Sequence, residues 1–498
     1  MPPSNEIIHM TSSPSLSPPG SIRSFSVRGL HGYKDITIEF SSSAQILIAG
    51  NGAGKTTILN ALYWLISRNF SKLRSLSFHE LRCDFVSGKS VVLKHADLPK
   101  IDDINQSGPF SQAEVSSSEL ESFLSESWDE NAEARDFRTS SVVMKLYNDT
   151  NLDYDEITNL LSRTYESLGP SSEPLKEVNR IVIQEMSNFE IVHLPTYRRI
   201  EESLLGPKRG PRQTSLFGSK LRRPQTTRTR NAINYGLEDV INRLDELSEE
   251  IDSISSLEYR NASATIIDDA LSNSTFAESS WIDTLPEFPL LEQFLMRVSR
   301  LEGQNSWNQL TSRPAHASAK ESGSRRIEAI RRLYETREIF EQQPPVLGYF
   351  LSKLVPVIER TQETAGKLQR FVDACNSYLS DSTDGKSFVY EPNSSKVSVI
   401  NTDTGRQVPM GQLSSGEKQI ISLLAELYLY DGEKIILIDE PELSLSIEWQ
   451  RKIIPDIMRS GVVKQLLAIT HSPFIFDNEI DPHAGPLIIR KRVTNGNS

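Results

Sequence analysis

The sequence has few cysteines and no long apolar run. Cys83 and Cys375 are its two cysteines, and one pair of thiols cannot form the disulfide framework of a small secreted protein. No apolar stretch approaches the roughly 18 residues that a membrane-spanning helix needs. The first 20 residues are rich in Ser and Pro and contain neither Lys nor Arg, which is not the pattern of a signal peptide. These absences predict a cytoplasmic protein that does not insert into a membrane.

The chain also has fewer basic than acidic residues. The chain has 54 Lys and Arg against 66 Asp and Glu, which gives a formal net charge of −12. A protein that coats nucleic acid with its whole surface is therefore not expected, whereas a local basic patch is not excluded. The length of 498 residues exceeds the roughly 250–300 residues at which a single hydrophobic core stops growing, so we expect at least two lobes.

Both ends of the sequence alternate between strand-like and helical patterns. Residues 21–40 alternate apolar and polar side chains as two paired strands do, and Gln45–Ile48 has the pattern of a buried strand before a Gly-rich loop and a helix. Another hairpin is predicted over Leu81–Leu93. The end of the chain again alternates strands with helices, while its middle is mainly helical. We therefore predict an α/β head, a mixed sheet with flanking helices, that is split in sequence by a helical insertion lobe.

This pattern divides the chain into five segments. They are a disordered tail over residues 1–20, the N-terminal part of the head over 21–100, an acidic insertion with return strands over 101–200, a helical lobe over 201–384, and the C-terminal part of the head over 385–498. The return strands are predicted at Ile181–Gln184 and in the apolar stretch from Ile191. The helical lobe is expected to contain a basic loop and a short coiled coil.

Two insertions carry opposite charges. Residues 102–136 contain ten acidic side chains and one Arg with weak periodicity, which predicts a solvated segment. Residues 203–237 contain eight Lys or Arg and no acid. The basic side chains are Lys208, Arg209, Arg212, Lys220, Arg222, Arg223, Arg228 and Arg230. They could follow the phosphates of a nucleic acid, but a solvated loop is favoured because Phe217 is almost their only aromatic neighbour.

The helical lobe begins with a short coiled-coil pattern. Its apolar residues recur at 4-3-4-3 spacing, which predicts a seam against one partner helix. The seam consists of Val240, Leu244, Leu247, Ile251 and Ile254. It lasts about two heptads, so a long coiled-coil arm is not expected.

One weaker signal stays open. The segment from His193 to Arg199 follows an apolar strand and could bring an arginine to a nucleotide or a partner, and an ordinary turn explains it equally well. No group of His, Cys, Asp and Glu residues has the spacing of a zinc site.

A Gly-rich loop lies between the predicted strand at Gln45–Ile48 and the helix after it. Its sequence is Ala49-Gly50-Asn51-Gly52-Ala53-Gly54-Lys55-Thr56-Thr57, the order of a phosphate-binding loop, although Ala49 replaces the usual first glycine. The glycines let backbone N–H groups converge on phosphate oxygens, and the helix N-terminus adds a favourable dipole. We predict that Gly50–Thr57 bind a nucleotide, that Lys55 contacts its β- and γ-phosphates, and that Thr56 ligates Mg²⁺.

An apolar strand that ends in two carboxylates is the second chemical signal. Lys434–Ile438 is followed by Asp439 and Glu440, and this arrangement places Asp439 beside the Mg²⁺ at the loop, as a Walker B acid. Glu440 is then positioned to polarise the attacking water. The sequence therefore predicts Lys55 and Glu440 as catalytic residues, and Thr56 with Asp439 as metal ligands.

Two further motifs accompany this strand. Ser414–Glu417 opens an apolar helix 25 residues before Asp439, and Ser and Gly at a helix start offer a hydroxyl and N–H groups to a phosphate. His471 follows another apolar strand, at the place where a γ-phosphate sensor is expected. We predict that Ser414 and Gly416 bind the nucleotide and that His471 takes part in catalysis.

These four motifs, in this order, resemble the ABC-type ATPases, and in particular their soluble branch with the SMC, RecF and OLD-family proteins. The resemblance implies ATP and Mg²⁺ as cofactors. It also implies that Ser414 and Gly416 close on ATP held by another subunit, so that a homodimer or higher homo-oligomer completes its sites in trans. His471 would be the switch histidine and Leu443–Ser446 the D-loop, although many relatives have His where Ser446 stands.

The N-terminal LHGYKD and the LSSGEKQI stretch also resemble the ATPases of anti-phage defence operons, above all those of the PARIS system and then of the Septu system. This resemblance implies an ATP-driven switch that controls a separate effector, such as a nuclease. A RecF-like DNA-repair clamp is the alternative, and the basic run at 208–230 is the feature that would bind its nucleic acid.

Two other classes of ABC-type protein are not expected. A single-chain nuclease of the OLD family needs a Toprim domain after the ATPase, and only 27 residues follow His471. A transporter subunit is not expected because Lys55 and Ser414 lie much further apart in the sequence than in a compact transporter head.

Overall fold

A computed structural model of the protein describes most of the chain. The described residues are 20–50, 54–98, 108–116, 119–120, 123–124, 128, 133–138, 140–167, 173–195, 237–271, 284–304, 315–340, 345–380 and 385–491. The predicted tail before residue 20, the loop residues 51–53 and the basic run at 208–230 lie outside them. The chain forms two compact units, one from residues up to 233 with those from 432 onward, and one from residues 234–431.

The strands and helices have the following bounds. The first unit begins with β1 (Ile22–Leu30), β2 (Lys34–Glu39), β3 (Ala44–Ile48), α1 (Lys55–Ile66), α2 (Phe70–Arg74), β4 (Glu80–Phe85), β5 (Ser90–Lys94), α3 (Pro109–Gln112), α4 (Ser141–Asp149), α5 (Tyr154–Ser167), α6 (Glu173–Met186) and β6 (Phe189–Leu194). The second unit contains α7 (Leu237–Leu271), α8 (Phe288–Gln304), α9 (Ala315–Glu335), α10 (Pro345–Leu379), β7 (Lys386–Glu391), β8 (Lys396–Asn401) and α11 (Ser415–Tyr428). The first unit then ends with β9 (Glu433–Asp439), α12 (Ile447–Arg459), β10 (Val463–Thr470), β11 (Ala484–Pro486) and β12 (Ile488–Lys491).

Within the described residues, the first unit is built on two five-stranded sheets. One sheet is antiparallel, with the strand order β12-β2-β1-β4-β5. The other is parallel, with the strand order β11-β3-β10-β9-β6. β10 lies between β3 and β9, so that Thr470 pairs with Ile48 and Ile469 pairs with Asp439. Because these strands run in the same direction, their carboxyl ends meet at one edge of the sheet. The Gly-rich loop, the Asp439 carboxylate and His471 therefore start from the same edge.

The helix α1 joins both sheets in one hydrophobic core. Its apolar residues have the helical spacing that predicts a buried face, and the structure confirms this face. The buried residues are Ile58, Leu59, Leu62, Leu65 and Ile66. They belong to a core that also contains side chains from the antiparallel and the parallel sheet. Since α1 begins directly after the Gly-rich loop, this packing fixes the end of the loop against β3, β9 and β10.

The predicted α/β class with a helical insertion is confirmed. The paired strands of residues 21–40, the buried strand at Gln45–Ile48 and the hairpin over Leu81–Leu93 are all present, as β1–β2, β3 and β4–β5. The two hairpins have a strong local pattern, alternation followed by a turn, and β3 is a short apolar run before the Gly-rich loop, so all of them could be seen in the sequence.

Two predictions for the acidic insertion are wrong. Among its described residues, Phe110, Leu120 and Trp128 are not solvated but buried, in a small hydrophobic core shared with α4 and α5. The short helices of this region do not repeat an apolar face often enough to show periodicity. Ile181–Gln184 is not a strand but part of α6, whose buried residues recur every three or four positions.

The second unit is mainly helical. The predicted seam on α7 is confirmed for Val240, Leu244, Leu247 and Ile251, which are buried, and α7 packs against α10. Both helices are 35 residues long; α7 is longer than its short seam predicts, and α8 was not predicted. β7 and β8 form an antiparallel hairpin. In the described part of the chain, no helix combines the length and the apolarity that crossing a membrane requires.

Candidate functional site

The Gly-rich loop connects the end of β3 to the first turn of α1. Gly54 is the N-cap of α1 and has a φ of 93°, a left-handed conformation that strains residues with a Cβ atom. Ala49, in place of the usual first glycine, is buried in the core of the unit, so apolar packing accommodates its methyl group. Its N–H donates to the carbonyl of Thr470 at 3.3 Å, which ties the start of the loop to β10.

Lys55 and Glu440 form an ion pair at the edge of the parallel sheet. Nζ of Lys55 lies 3.0 Å from Oε1 of Glu440, and the Lys55 side chain is only 6% exposed. Glu440 follows β9 directly with a φ of 53°, which costs about 1–3 kcal/mol for a residue with a side chain. Its N–H donates to the carbonyl of Ile469 at 2.9 Å, so β10 holds this strained backbone. The two predicted catalytic side chains therefore meet, although they lie far apart in the sequence.

Thr56 and Asp439 form a second contact beside this pair. The Thr56 hydroxyl donates to Oδ2 of Asp439, and Asp439 is 2% exposed. Oδ1 of Asp439 is buried and has no hydrogen-bond partner among the described residues. Burial raises the pKa of Asp439; the Thr56 hydroxyl and Lys55 oppose this shift, and the nearby carboxylates of Glu440 and Glu442 add to it.

A magnesium ion fits this contact. Mg²⁺ prefers oxygen ligands, and a hydroxyl and a carboxylate are present. A divalent cation would give Oδ1 of Asp439 the partner that it lacks in the described residues and would stabilise the ionised carboxylate. No cluster of three or more His, Cys, Asp or Glu side chains in the described chain forms a metal site by itself. The ion would therefore take its other ligands from phosphate and water.

Glu442 holds the segment that carries His471. Its Oε2 accepts a hydrogen bond from the Thr470 hydroxyl at 2.7 Å, and its Oε1 accepts one from the His471 N–H at 3.0 Å. Nδ1 of His471 also lies 2.7 Å from Oε1 of Glu442. Because an ionised carboxylate only accepts hydrogen bonds, Nδ1 carries the proton and Nε2 is the ring nitrogen left for another partner.

Gln450 of α12 links the His471 segment to residues 443–446. Its side-chain oxygen accepts a hydrogen bond from the Ser472 hydroxyl at 2.7 Å, and its Nε2 donates to the carbonyl of Leu445 at 3.0 Å. Ser446 caps α12 by accepting a hydrogen bond from the Trp449 N–H at 3.3 Å. Neither Glu442 nor Gln450 was predicted from the sequence. Glu442 could have been noticed as the second carboxylate after β9, whereas no sequence signal marks Gln450.

The end of β6 lies next to β9 in the parallel sheet, with His193 opposite Leu437. His193 is buried and stacks on Tyr63, with ring centroids 4.5 Å apart. Burial lowers the pKa of His193 to about 4, and the positive charge of Lys72 adds to the shift. This histidine is therefore a neutral core residue at pH 7. The arginines that follow it, Arg198 and Arg199, lie outside the described residues.

The Ser414 motif belongs to the second unit. Ser414 is the N-cap of α11, where its hydroxyl accepts a hydrogen bond from the Glu417 N–H at 3.3 Å. Gly416 is buried in the first turn of the helix. The predicted helix start is therefore confirmed, and the N–H groups of Ser415 and Gly416 lack an acceptor within the helix. Such an end attracts a phosphate.

Residues 21–476 match the protein family described as "AAA ATPase domain". A curated relative, the "Retron Ec83 probable ATPase" of Escherichia coli, is 38% identical over 74 residues, and this alignment covers 12% of the chain and 14% of the relative. Two solved structures are also similar. The Smc head domain with an extended coiled coil bound to the C-terminal domain of ScpA from Pyrococcus furiosus has a TM-score of 0.32 and 13% identity, over 94% of this chain and 96% of that one. The SmcHead bound to the C-winged helix domain of ScpA has a TM-score of 0.30 and 10% identity, over 94% and 97%.

Proposed function

Because this chain belongs to the family of AAA ATPase domains, we propose that it is the ATP-hydrolysing switch of an anti-phage defence system and controls a separate effector protein. The ATPase part of the proposal is carried by one observation, the meeting of Lys55 with Glu440 and of Thr56 with Asp439 at one sheet edge. The defence part is supported by the partial similarity to a retron ATPase and by the motifs that resemble the PARIS ATPase.

Each side chain of the site has its own task in this proposal. Lys55 binds the β- and γ-phosphate oxygens, and Thr56 with Asp439 holds Mg²⁺, which neutralises the charge of the phosphates. Glu440 orients and polarises the attacking water, and His471 contacts the γ-phosphate through Nε2. A phosphate bound to Lys55 competes with Glu440 for the same ammonium group. ATP binding therefore releases the Glu440 carboxylate from Lys55, so that it can polarise the attacking water.

The ATP site is proposed to be completed by a second copy of the chain. Ser414 and Gly416 present a hydroxyl and N–H groups at the start of α11, and they would close on the triphosphate held at Lys55 of the partner. Hydrolysis would then open the pair. The assembly would be a homodimer or a higher homo-oligomer of such pairs.

The effector is proposed to be a separate nuclease that docks on the charged insertions and the helical lobe. Exposed ion pairs are weak and sensitive to salt, which suits a contact that must form and break with the nucleotide. We expect that the purified protein alone cleaves neither DNA nor RNA. We also expect that it binds the product of the neighbouring effector gene in a salt-sensitive complex whose stability depends on ATP.

Nuclease assays of the lone protein with Mg²⁺ and Mn²⁺, and binding assays with ATP and ADP, test this function. Nuclease activity that disappears with a point mutation in this chain would contradict the proposal. Partner binding that is indifferent to the nucleotide would reduce the protein to a scaffold. DNA-stimulated ATP hydrolysis that is lost when the basic run at 208–230 is neutralised would favour the RecF-like clamp instead.

The contact between Glu442 and His471 gives a further expected result. Replacing Glu442 with Gln removes the carboxylate that fixes the proton on Nδ1, so we expect ATP turnover to fall by at least about tenfold. ATP affinity should change little, because Lys55 pairs with Glu440 rather than Glu442. In a His471→Gln background, Glu442→Gln should have no further effect on turnover. Steady-state phosphate release by the two single variants and the double variant checks this, and independent, additive losses would contradict it.

A further inference from the structure

We propose that Lys386 is a positioning residue for the nucleotide-contacting end of α11 and acts through Glu417. This inference rests on the proposed function, in which Ser414 and Gly416 bind ATP. Lys386 is the first residue of β7, and its Nζ lies 3.1 Å from Oε2 and 3.2 Å from Oε1 of Glu417. The two side chains are 12% and 4% exposed, so the ion pair is largely shielded from water.

Glu417 shapes the end of the helix directly. Its Oε2 accepts a hydrogen bond from the Ser414 N–H at 2.6 Å, while the Ser414 hydroxyl accepts one from the Glu417 N–H at 3.3 Å. This reciprocal arrangement is a capping box. It uses the Ser414 hydroxyl only as an acceptor, so the hydroxyl proton can still be donated to a phosphate oxygen.

The capping box has an electrostatic cost that Lys386 offsets. Glu417 places a negative charge in the first turn of a helix that is proposed to contact a triphosphate, and like charges at short range repel each other. A buried carboxylate without a counter-ion is also strongly unfavourable. Lys386 supplies the counter-ion and leaves Glu417 in its capping position. The carboxylate can therefore fix Ser414 without repelling the phosphates.

The strand that carries Lys386 is held by the helical part of the unit. The side-chain amide of Asn376 on α10 donates to the carbonyl of Phe388 at 2.9 Å, and its oxygen accepts from the Phe388 N–H at 2.7 Å. At the turn after β7, Arg297 of α8 donates to the carbonyl of Pro392 at 3.1 Å. These bonds fix β7, the strand that carries Lys386, against the helices α8 and α10.

Charge substitutions test the role of Lys386. We expect Lys386→Met to lower ATP turnover by at least about tenfold, because it leaves Glu417 as a buried, unpaired carboxylate. Lys386→Arg should retain most of the activity. The double variant Lys386→Met with Glu417→Gln should recover activity relative to Lys386→Met, because Gln also completes a capping box and carries no charge. The matched control is Lys367→Met, which removes a pair whose carboxylate, Asp431, is 74% exposed and should leave turnover unchanged.

A mixing experiment separates a role at the Ser414 end from a general loss of structure. Lys386→Met protein has an intact Lys55 loop, so it should regain activity when mixed with Lys55→Ala protein. It should not regain activity with Ser414→Arg protein, because both variants are impaired at the Ser414 end of α11. Melting temperatures of all variants show whether a loss of turnover reflects unfolding instead.

The proposal is overturned if Lys386→Met hydrolyses ATP at the wild-type rate, or if the Glu417→Gln change fails to restore any activity. It is also overturned if Lys386→Met regains activity with Ser414→Arg and not with Lys55→Ala. The control mixture of Lys55→Ala with Ser414→Arg reports separately on completion in trans. If that control stays inactive although mixed oligomers form, the trans site fails, and the charge-rescue result still decides the role of Lys386.

Discussion

Replacing Lys55 with Ala should lower ATP turnover by at least about 100-fold, because phosphoryl transfer depends on positioning and on the stabilisation of phosphate charge. Lys55 is nearly buried at the start of α1, with Nζ 3.0 Å from Glu440. Other cations therefore cannot easily reach this position. The substitution should also weaken nucleotide binding, which the fluorescence of a labelled ATP analogue measures alongside phosphate release.

Lys464→Ala is the matched control for Lys55→Ala. Lys464 pairs with Glu433 in the same unit, but both side chains are well exposed, and exposed ion pairs contribute little to stability or geometry. Turnover in this control should equal that of the wild type. Wild-type turnover in Lys55→Ala itself would contradict the assignment of the Gly-rich loop.

Replacing Glu440 with Gln should lower turnover by about 10²–10⁴-fold, the range that a general base contributes. ATP should still bind, and more tightly than in the wild type, because the neutral amide that replaces the Glu440 carboxylate competes less well for Lys55. The variant should therefore accumulate the ATP-bound, associated form. Single-turnover hydrolysis and size-exclusion chromatography with ATP measure the two effects.

Glu448→Gln is the matched control for Glu440→Gln. Glu448 is an exposed carboxylate in the first turn of α12, eight residues further along the chain. The Glu448→Gln substitution should change neither ATP turnover nor ATP affinity. Unchanged phosphate release in Glu440→Gln would assign the activation of water to another residue.

The residues of the candidate site that meet in the structure were largely predictable from the sequence. Lys55, Thr56, Asp439 and Glu440 each follow an apolar strand or open a helix, and the carboxyl ends of parallel strands share one edge. These four side chains lie close together once β3 and β9 belong to the same parallel sheet. The local patterns of β1–β5 and α1 are equally strong, so these elements were predicted with nearly correct bounds.

The contacts that surround these residues were not predictable in the same way. Glu442 binds His471 across 29 positions, and Lys386 binds Glu417 across 31 positions. Neither pair belongs to a periodic pattern, because tertiary packing alone brings its members together. The small core of the acidic insertion was missed for a related reason: its helices are too short to repeat an apolar face. Residues 51–53 were predicted to bind a nucleotide, and the run at 208–230 was predicted to be a solvated loop rather than a nucleic-acid contact; both segments lie outside the described residues, so these stay predictions.

Completion of the ATP site between two copies of the chain is tested most directly by mixing two inactive variants, Lys55→Ala and Ser414→Arg. In a mixed pair, one of the two sites combines an intact Lys55 loop with an intact Ser414 end. We predict that the mixture regains part of the wild-type ATP turnover, in proportion to the mixed pairs formed. No recovery, although mixed oligomers are detected, would contradict the account and would assign both halves of the ATP site to a single chain.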